Sequence, residues 1–181
     1  MSIETEIKIR IEDPAGFCRQ LRTWNPETLS ERHFEDNHLI DFPDRKLQSS
    51  HCLLRVRLTE KRSLLTYKGP PRQGSIFKTR EELETDLADG PAVLQVLERI
   101  GMRVWFRYQK YREEYALDDV HVAVDETPIG NYVEFEGSEE AIQNLAHKMG
   151  INEEKFLSSS YYALYVEYCR ERGEDPKFMT F

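Results

Sequence analysis

The sequence predicts an α+β chain built on a mostly antiparallel sheet, from three observations. Apolar and charged residues alternate with period two along several stretches, hairpin-length turns join most of those stretches, and only a few segments carry a helical period. With 181 residues, 39% of them hydrophobic, the chain suits one domain with a sizeable core. No linker, repeat or low-complexity tract divides it.

Taken in order, Ile3-Glu4-Thr5-Glu6-Ile7-Lys8-Ile9-Arg10-Ile11 has the alternation of a strand. Asp13-Pro14 caps and opens a helix whose Phe17, Leu21 and Trp24 share a face until Asn25-Pro26. Residues 28–42 read as a long polar strand, followed by a turn at Pro43-Asp44-Arg45. Strands are expected at 52–59, 63–68 and 76–87, the last two separated by the turn-rich Gly69-Pro70-Pro71-Arg72-Gln73-Gly74. Asp89-Gly90-Pro91 opens a helix carrying Val93, Leu94, Leu97 and Ile100, closed by Gly101. A long strand at 102–117 turns at Asp118-Asp119 into 120–127, and Pro128-Ile129-Gly130 leads to a strand at 131–137. Ser138 caps a third helix with Ile142, Leu145 and Met149 inward until Gly150. The segment Tyr161 to Arg172 is helical, with Tyr161, Leu164, Tyr165 and Tyr168 on one side.

Composition narrows the function. The formal net charge of −8 argues against duplex nucleic acid as a partner. No apolar run approaches the ~20 residues of a membrane span, and the N-terminal residues lack a basic and apolar leader. Cys18, Cys52 and Cys169 are odd in number and widely spaced, which fits neither a disulfide frame nor a zinc site. The five histidines (His33, His38, His51, His121 and His147) have no ligand spacing and read as structural or surface residues. The expectation is a cytoplasmic protein with no membrane partner; a homodimer stays open.

The strands carry one recurring feature. Same-face neighbours are charged: Glu4/Glu6/Lys8, Arg55/Arg57, Arg80/Glu82/Glu84, Lys110/Arg112 and Glu134/Glu136, while the opposite faces hold Ile3, Ile7, Ile9, Leu54, Val56, Leu58, Val133 and Phe135. Each strand alone fits a sheet with one wet face. As a set, acid pairs cluster on some strands and basic pairs on others, and arginine's fork suits bidentate phosphate contacts. About eight strands could close into a barrel with the polar side inward and helices over the apolar side. Burying so many charges is costly unless a charged ligand and metals satisfy them. Carboxylates two apart on a strand lie about 6.6–6.8 Å from one another and can hold a hard divalent cation through oxygen. The bases need an extended polyanion, and a linear triphosphate meets both demands.

Glu4-Thr5-Glu6-Ile7-Lys8 matches a Glu-x-Glu-x-Lys signature. It is followed in order by Leu54-Arg55-Val56-Arg57, Leu65-Thr66-Tyr67-Lys68-Gly69-Pro70, Arg80-x-Glu82-x-Glu84, Lys110-x-Arg112, Val124-Asp125-Glu126, Gly130, Glu134-x-Glu136 and Ser160-Tyr161. On these motifs the chain resembles the CYTH family, the triphosphate tunnel metalloenzymes, over roughly residues 2 to 168. The resemblance implies a single domain over residues 1–181, with a C-terminal helix and tail after the core. It implies an eight-stranded antiparallel closed tunnel barrel open to both sides, with a charged interior and helices packed outside. It further implies Mg²⁺ or Mn²⁺ as cofactor and a triphosphate-containing small molecule as partner. By motif, Glu4, Glu6, Glu134 and Glu136 would be the main metal ligands, with Glu82 and Glu84 assisting directly or through water. Asp125, in the family's acidic position, would join the metal set or orient a ligand or basic partner. Lys8, Arg55, Arg57, Lys68, Arg80, Lys110 and Arg112 would bind phosphates, and Glu4, Glu6, Lys8 and Lys110 form the expected catalytic set.

Plainer readings stand beside these. Arg80 can pair with Glu82 on its own strand, Glu82 and Glu84 can pair with interior bases, and Asp125 beside Glu126 can be a turn acid. Arg10 is expected to reach solvent. One departure is visible: where inorganic triphosphatases of the family carry a second-strand tyrosine that works with a lysine, this chain has Asp36-Asn37-His38-Leu39-Ile40-Asp41.

The favoured expectation is a metal-dependent triphosphatase, because no residue visibly reads an organic group and water needs no pocket for one. A class IV adenylyl cyclase, making cyclic AMP and pyrophosphate from ATP, is the alternative. A catalytically idle polyphosphate or nucleotide binder would show damaged Glu-x-Glu pairs, and both are intact. The Gly69–Gly74 loop is no Walker motif, lacking Gly-Lys-Ser/Thr.

Overall fold

A computed structural model describes residues 2–181. Eight strands close into one antiparallel barrel in the order β1-β5-β4-β3-β2-β6-β7-β8. They are β1 (Ser2–Ile11), β2 (Glu27–Asp41), β3 (Leu53–Leu58), β4 (Ser63–Lys68), β5 (Lys78–Leu87), β6 (Arg103–Leu117), β7 (Val120–Thr127) and β8 (Gly130–Glu136). The longest pair, β2 with β6, shifts register between Thr28 and Ser30, between Ser30 and His33, and between Leu39 and Ile40. Such irregularities bend a strand and raise its twist, which helps a sheet curl until it closes.

The helices are α1 (Pro14–Arg22), α2 (Lys46–Ser49), α3 (Gly90–Arg99), α4 (Glu139–Lys148) and α5 (Tyr161–Arg172). Asp13, Asp89, Ser138 and Ser160 cap α1, α3, α4 and α5 by accepting from the backbone N–H of Gly16, Ala92, Ala141 and Ala163. The apolar core lies outside the barrel, under these helices. Ile7, Ile9, Val122, Val124, Val133 and Phe135 meet Leu21, Ile142 and Leu145, while Ile40, Val56 and Met102 meet Val93, Leu94 and Leu97. A third cluster joins Phe106, Tyr108 and Tyr132 to Tyr161 and, less deeply, Leu164, Tyr165 and Tyr168. Apolar side chains thus point outward to helices and the charged rows point inward. Among the described residues no helix is long and apolar enough to cross a membrane.

Several expectations change. Ile100 is 66% exposed rather than part of the α3 stripe, because α3 ends at Arg99 and the chain turns at Gly101, φ +100°. Trp24 lies beyond α1 yet still packs on the same core. The turn after β2 continues into α2, whose Leu47 and Gln48 N–H groups donate to the buried Asp41 carboxylate at 2.9 and 2.8 Å. The first turn of α5 packs where β2 ends and β3 and β6 begin, with Tyr161 wholly inside.

Candidate functional site

The barrel encloses a cavity of about 550 Å³. Lining it are Glu4, Glu6 and Lys8 of β1, Arg55 and Arg57 of β3, and Lys68 of β4. Arg80, Glu82 and Glu84 of β5, Lys110 and Arg112 of β6, and Glu134 and Glu136 of β8 complete the expected set. Asp125 stands behind this wall and is fully buried. Arg10, as expected, is exposed. A period of two places each row on one side of its strand, and closure turns that side into an interior.

The interior is internally neutralised. Lys68 Nζ lies 2.5 and 2.6 Å from the two Glu4 oxygens and 3.0 Å from Glu82. Lys8 bridges Glu134 at 3.1 Å and Glu6 at 3.3 Å. Arg112 makes two 2.7 Å bonds to Asp125 and reaches Glu134 at 2.5 Å. Lys110 adds a 2.9 Å bond to Asp125, and the Tyr161 hydroxyl donates to the same carboxylate at 2.5 Å. Lys110 and Lys8 each stand 5.2 Å from the Tyr161 ring centre.

Two guanidinium groups are less well matched. Among the described residues the buried Nε atoms of Arg55 and Arg80 have no hydrogen-bond partner, and the carboxylate contact of Arg80, to Glu4, is 3.8 Å. Buried donors without acceptors are costly, so these two sites favour an anion inside the cavity.

Titration follows the same balance. Burial pushes the carboxyls of Glu6 and Glu134 up, but adjacent cations win: Lys78 and Lys8 for Glu6, Lys8 and Arg112 for Glu134. Both end well below the usual carboxylate range. Glu82 goes the other way, raised by burial and by the Glu4 charge despite Lys68.

Four further residues belong to this interior and were not expected there. Lys78 lies 2.8 Å from Glu6, with burial lowering its ammonium to about 8 against that pairing. Glu35 is 1% exposed and pairs with Arg57 at 3.2 Å and Lys110 at 3.6 Å. Glu114 and His121 line one mouth, 3.2 Å apart, and His121 also stands 3.6 Å from Glu136. Period two would have found Lys78 and Glu114, two residues from Arg80 and Arg112. In the stretch without tyrosine, Asn37 takes the inward position, accepting from Arg57 Nε at 3.1 Å, while His38 lies near Asp36 at 3.5 Å.

Among the described residues no three His, Cys, Asp or Glu groups form a ready metal cage. The reason is visible in the pairing, since lysine or arginine draws on most of these carboxylates. The donor set still suits Mg²⁺ or Mn²⁺, being hard carboxylate oxygens on adjacent strands, with Glu6 and Glu136 directly opposite in register.

The CYTH domain family model matches residues 2–161. A Methanocaldococcus jannaschii protein named "Putative adenylate cyclase" is 27% identical over 173 residues, covering 90% of this chain and 98% of its own length. A solved Vibrio parahaemolyticus structure, also given as a "putative adenylate cyclase", superposes with TM-score 0.78 at 21% identity, over 90% of this chain and 97% of that one. A Hippeastrum structure called a "putative adenylyl cyclase" and credited with a dominant triphosphatase activity has TM-score 0.68 at 18% identity, over 96% and 97%.

Proposed function

Since the chain belongs to the CYTH domain family, we propose that it hydrolyses a triphosphate-containing substrate held inside the barrel with a divalent metal ion. The observation that carries this reading is the pair of unpartnered, buried guanidinium Nε groups, Arg55 and Arg80, on an enclosed wall of lysines and arginines. An apolar ligand would leave those donors as they are, a cationic one would be repelled by the bases around them, and a neutral acceptor would bond them more weakly than an anion. A polyphosphate satisfies them.

Ligand binding is then an exchange of partners. Phosphate oxygens take up Arg55, Arg57 and Arg80, meet Lys110 and Arg112 where Asp125 holds them, and draw Lys8 and Lys68, and Arg112 from Glu134, away from the glutamates, which are then free for a cation. Glu4, Glu6, Glu134 and Glu136 would hold Mg²⁺ or Mn²⁺, with Glu82 and Glu84 in support. The metal, when bound, supplies charge neutralisation on the phosphates and lowers the pKa of the attacking water. Asp125 takes a different part from the metal ligands: its oxygens already accept from Lys110, Arg112 and Tyr161. It positions Lys110 and Arg112. Lys8 and Lys110, each 5.2 Å from the Tyr161 ring centre, hold the phosphoryl groups in line and offset the charge that develops on them.

The second reading is cyclisation of ATP, favoured by the name of the Methanocaldococcus jannaschii relative. One panel separates the two. Purified protein is incubated with ATP, inorganic triphosphate and thiamine triphosphate, each with Mg²⁺ and with Mn²⁺. Metal-dependent release of orthophosphate without cyclic product is expected; cyclic AMP with pyrophosphate would replace hydrolysis by cyclisation.

A further inference from the structure

Two strands of the barrel have stretches of edge that no other strand covers. β7 pairs with β6 only from Tyr111 to Leu117, so β6 from Arg103 to Lys110 has β2 on one side and, among the described residues, no strand on the other. Backbone groups along such an edge need partners. Met179 supplies them: it donates its N–H to the Arg107 carbonyl at 3.0 Å and accepts from the Gln109 N–H at 2.9 Å, in a parallel bridge with Tyr108. β1 has a similar gap. Its pairing with β5 stops at Glu6, and beyond that point Lys8 exchanges two backbone bonds with Leu157, at 2.9 and 2.8 Å. Helix α5 therefore runs between two ties, one on β1 at Lys8 and one on β6 at Tyr108, and both of these residues line the cavity.

The tie on β6 is slight. From Glu174 to Phe178 every residue is exposed, and Met179, 1% exposed, is the one buried side chain of Glu174–Phe181. It packs among Phe106, Tyr108, Tyr132 and Tyr161. Tyr165 of α5 clasps the chain beside it, its hydroxyl donating to the Phe178 carbonyl at 3.3 Å and accepting from the Lys177 N–H at 3.4 Å. A segment held by so few buried contacts opens at lower cost than the strands it rests on. Yet what it holds down reaches the site. The Tyr161 hydroxyl donates to Asp125, which also holds Lys110 and Arg112. The Tyr108 ring stands 5.8 Å from that of Tyr161, and its hydroxyl accepts from Arg55 Nη1 at 3.4 Å.

Building on the proposed triphosphate site, we propose that Glu174–Phe181 is a strap that keeps α5 seated in the end of the barrel. Met179 is its catch and a positioning residue: it acts through Tyr161 on Asp125, and so on Lys110 and Arg112. Without the Met179 side chain the first turn of α5 loosens, Tyr161 leaves Asp125, and the two cations lose their fixed places for phosphate.

The barrel carries its own reporter. Leu39 pairs with Phe106 and Ile40 with Val104, so Trp105 is the extra residue of a bulge on β6; it lines the cavity, and its ring meets that of Tyr162 edge to face at 4.9 Å. The other tryptophan, Trp24, packs on the core outside the barrel, so in a Trp24→Phe background the indole emission follows the seating of α5. In the ligand-free protein Met179→Ala should shift that emission and speed amide exchange at Gln109 by tenfold or more, with the amides of Tyr111–Leu117 changed less. With Mg²⁺, KM for ATP or inorganic triphosphate, whichever is turned over, should rise tenfold or more while kcat changes less, and Met179→Leu should restore it. Tyr165→Phe removes the clasp, leaves Met179 in place, and should move each readout the same way by a smaller amount. Unchanged emission and Gln109 exchange in a folded Met179→Ala protein overturn the proposal, as does a shifted emission with an unchanged KM. If Met179→Ala does not fold, Tyr165→Phe decides by the same readouts. If neither triphosphate is turned over, hydrolysis fails, and the strap stands or falls on emission and exchange alone.

Discussion

Two interior side chains with opposite surroundings separate binding from stability. Among the described residues, buried Arg80 has only a 3.8 Å carboxylate contact and an unpartnered Nε. Removing it from the empty barrel breaks little, yet deletes a donor that a phosphate would use. Arg80→Ala should therefore weaken triphosphate binding about 10- to 100-fold, the value of one charge-assisted hydrogen bond at about 1.5–3 kcal/mol. Its urea midpoint should stay close to wild type. Isothermal titration and urea unfolding on the same preparation check both halves. Asp125 is the converse, fully buried and accepting from Lys110, Arg112 and Tyr161. Asp125→Asn leaves two buried cations short of their counter-charge and should cost about 3–5 kcal/mol. A denaturation midpoint unmoved by that change would mean the bases are held by something else. At this scale most of the interior was legible, because charged residues two apart on a strand must share a face. Trp105 was not legible: its inward aim depends on a bulge, and a bulge is set by pairing with a distant strand rather than by local pattern.

Among the elements, α5 links the outer packing to the interior. Its hydroxyl cap, Ser160, accepts from the Ala163 N–H at 3.2 Å, and the next two residues are the cavity-lining Tyr161 and Tyr162. Ser160→Ala should cost about 1 kcal/mol, lowering Tm by about 2–4 °C for a domain of this size. Because the frayed turn carries Tyr161 away from Asp125, KM should rise more than the stability loss alone requires. Calorimetry and initial rates measured well below Tm test this; an unchanged KM would confine α5 to packing. Elements with strong local signals were legible: the caps at Asp13, Asp89 and Ser138, and strand alternation to within two residues. The element missed, α2, spans only Lys46–Ser49 and takes its cap from Asp41, on the preceding strand. No periodicity can show so short a turn. Ile100 was misplaced for a related reason, as apolar character alone does not say whether the helix still runs beneath it.

At the scale of the whole molecule, the barrel inverts the usual arrangement, with apolar side chains outside under helices and ions within. Stability should therefore follow the charge state of the interior. The carboxyls of Glu6, Glu35 and Glu134 are held well below their ordinary range: burial opposes this, but Lys78 and Lys8, Arg57 and Lys110, and Lys8 and Arg112 respectively outweigh it. A lowered carboxylate pKa contributes stability that is complete above the unfolded value of about 4.3 and is lost as pH falls through the folded values. Urea midpoints taken between pH 7 and pH 3 should thus fall increasingly below about pH 4.5; a flat profile would mean the pairs contribute nothing net.

Mutual neutralisation also makes the two ligands depend on one another. A triphosphate entering alone draws off the bases and leaves carboxylates facing each other and the phosphates without counter-charge. A divalent cation entering alone must displace lysine and arginine from the same carboxylates. Each ligand removes the obstacle to the other, and linkage makes the benefit reciprocal. Thermal denaturation should show small shifts with Mg²⁺ alone and with triphosphate alone, and a shift larger than their sum with both, when inorganic triphosphate or an organic triphosphate resistant to hydrolysis is used. At a hundredfold excess over the dissociation constant the joint gain is about 2.7 kcal/mol, or roughly 5–11 °C. Merely additive shifts would show that the acids and bases of this interior bind their ligands independently. The exchange of partners on which the proposed chemistry rests would then be wrong, even if the barrel turned over triphosphates.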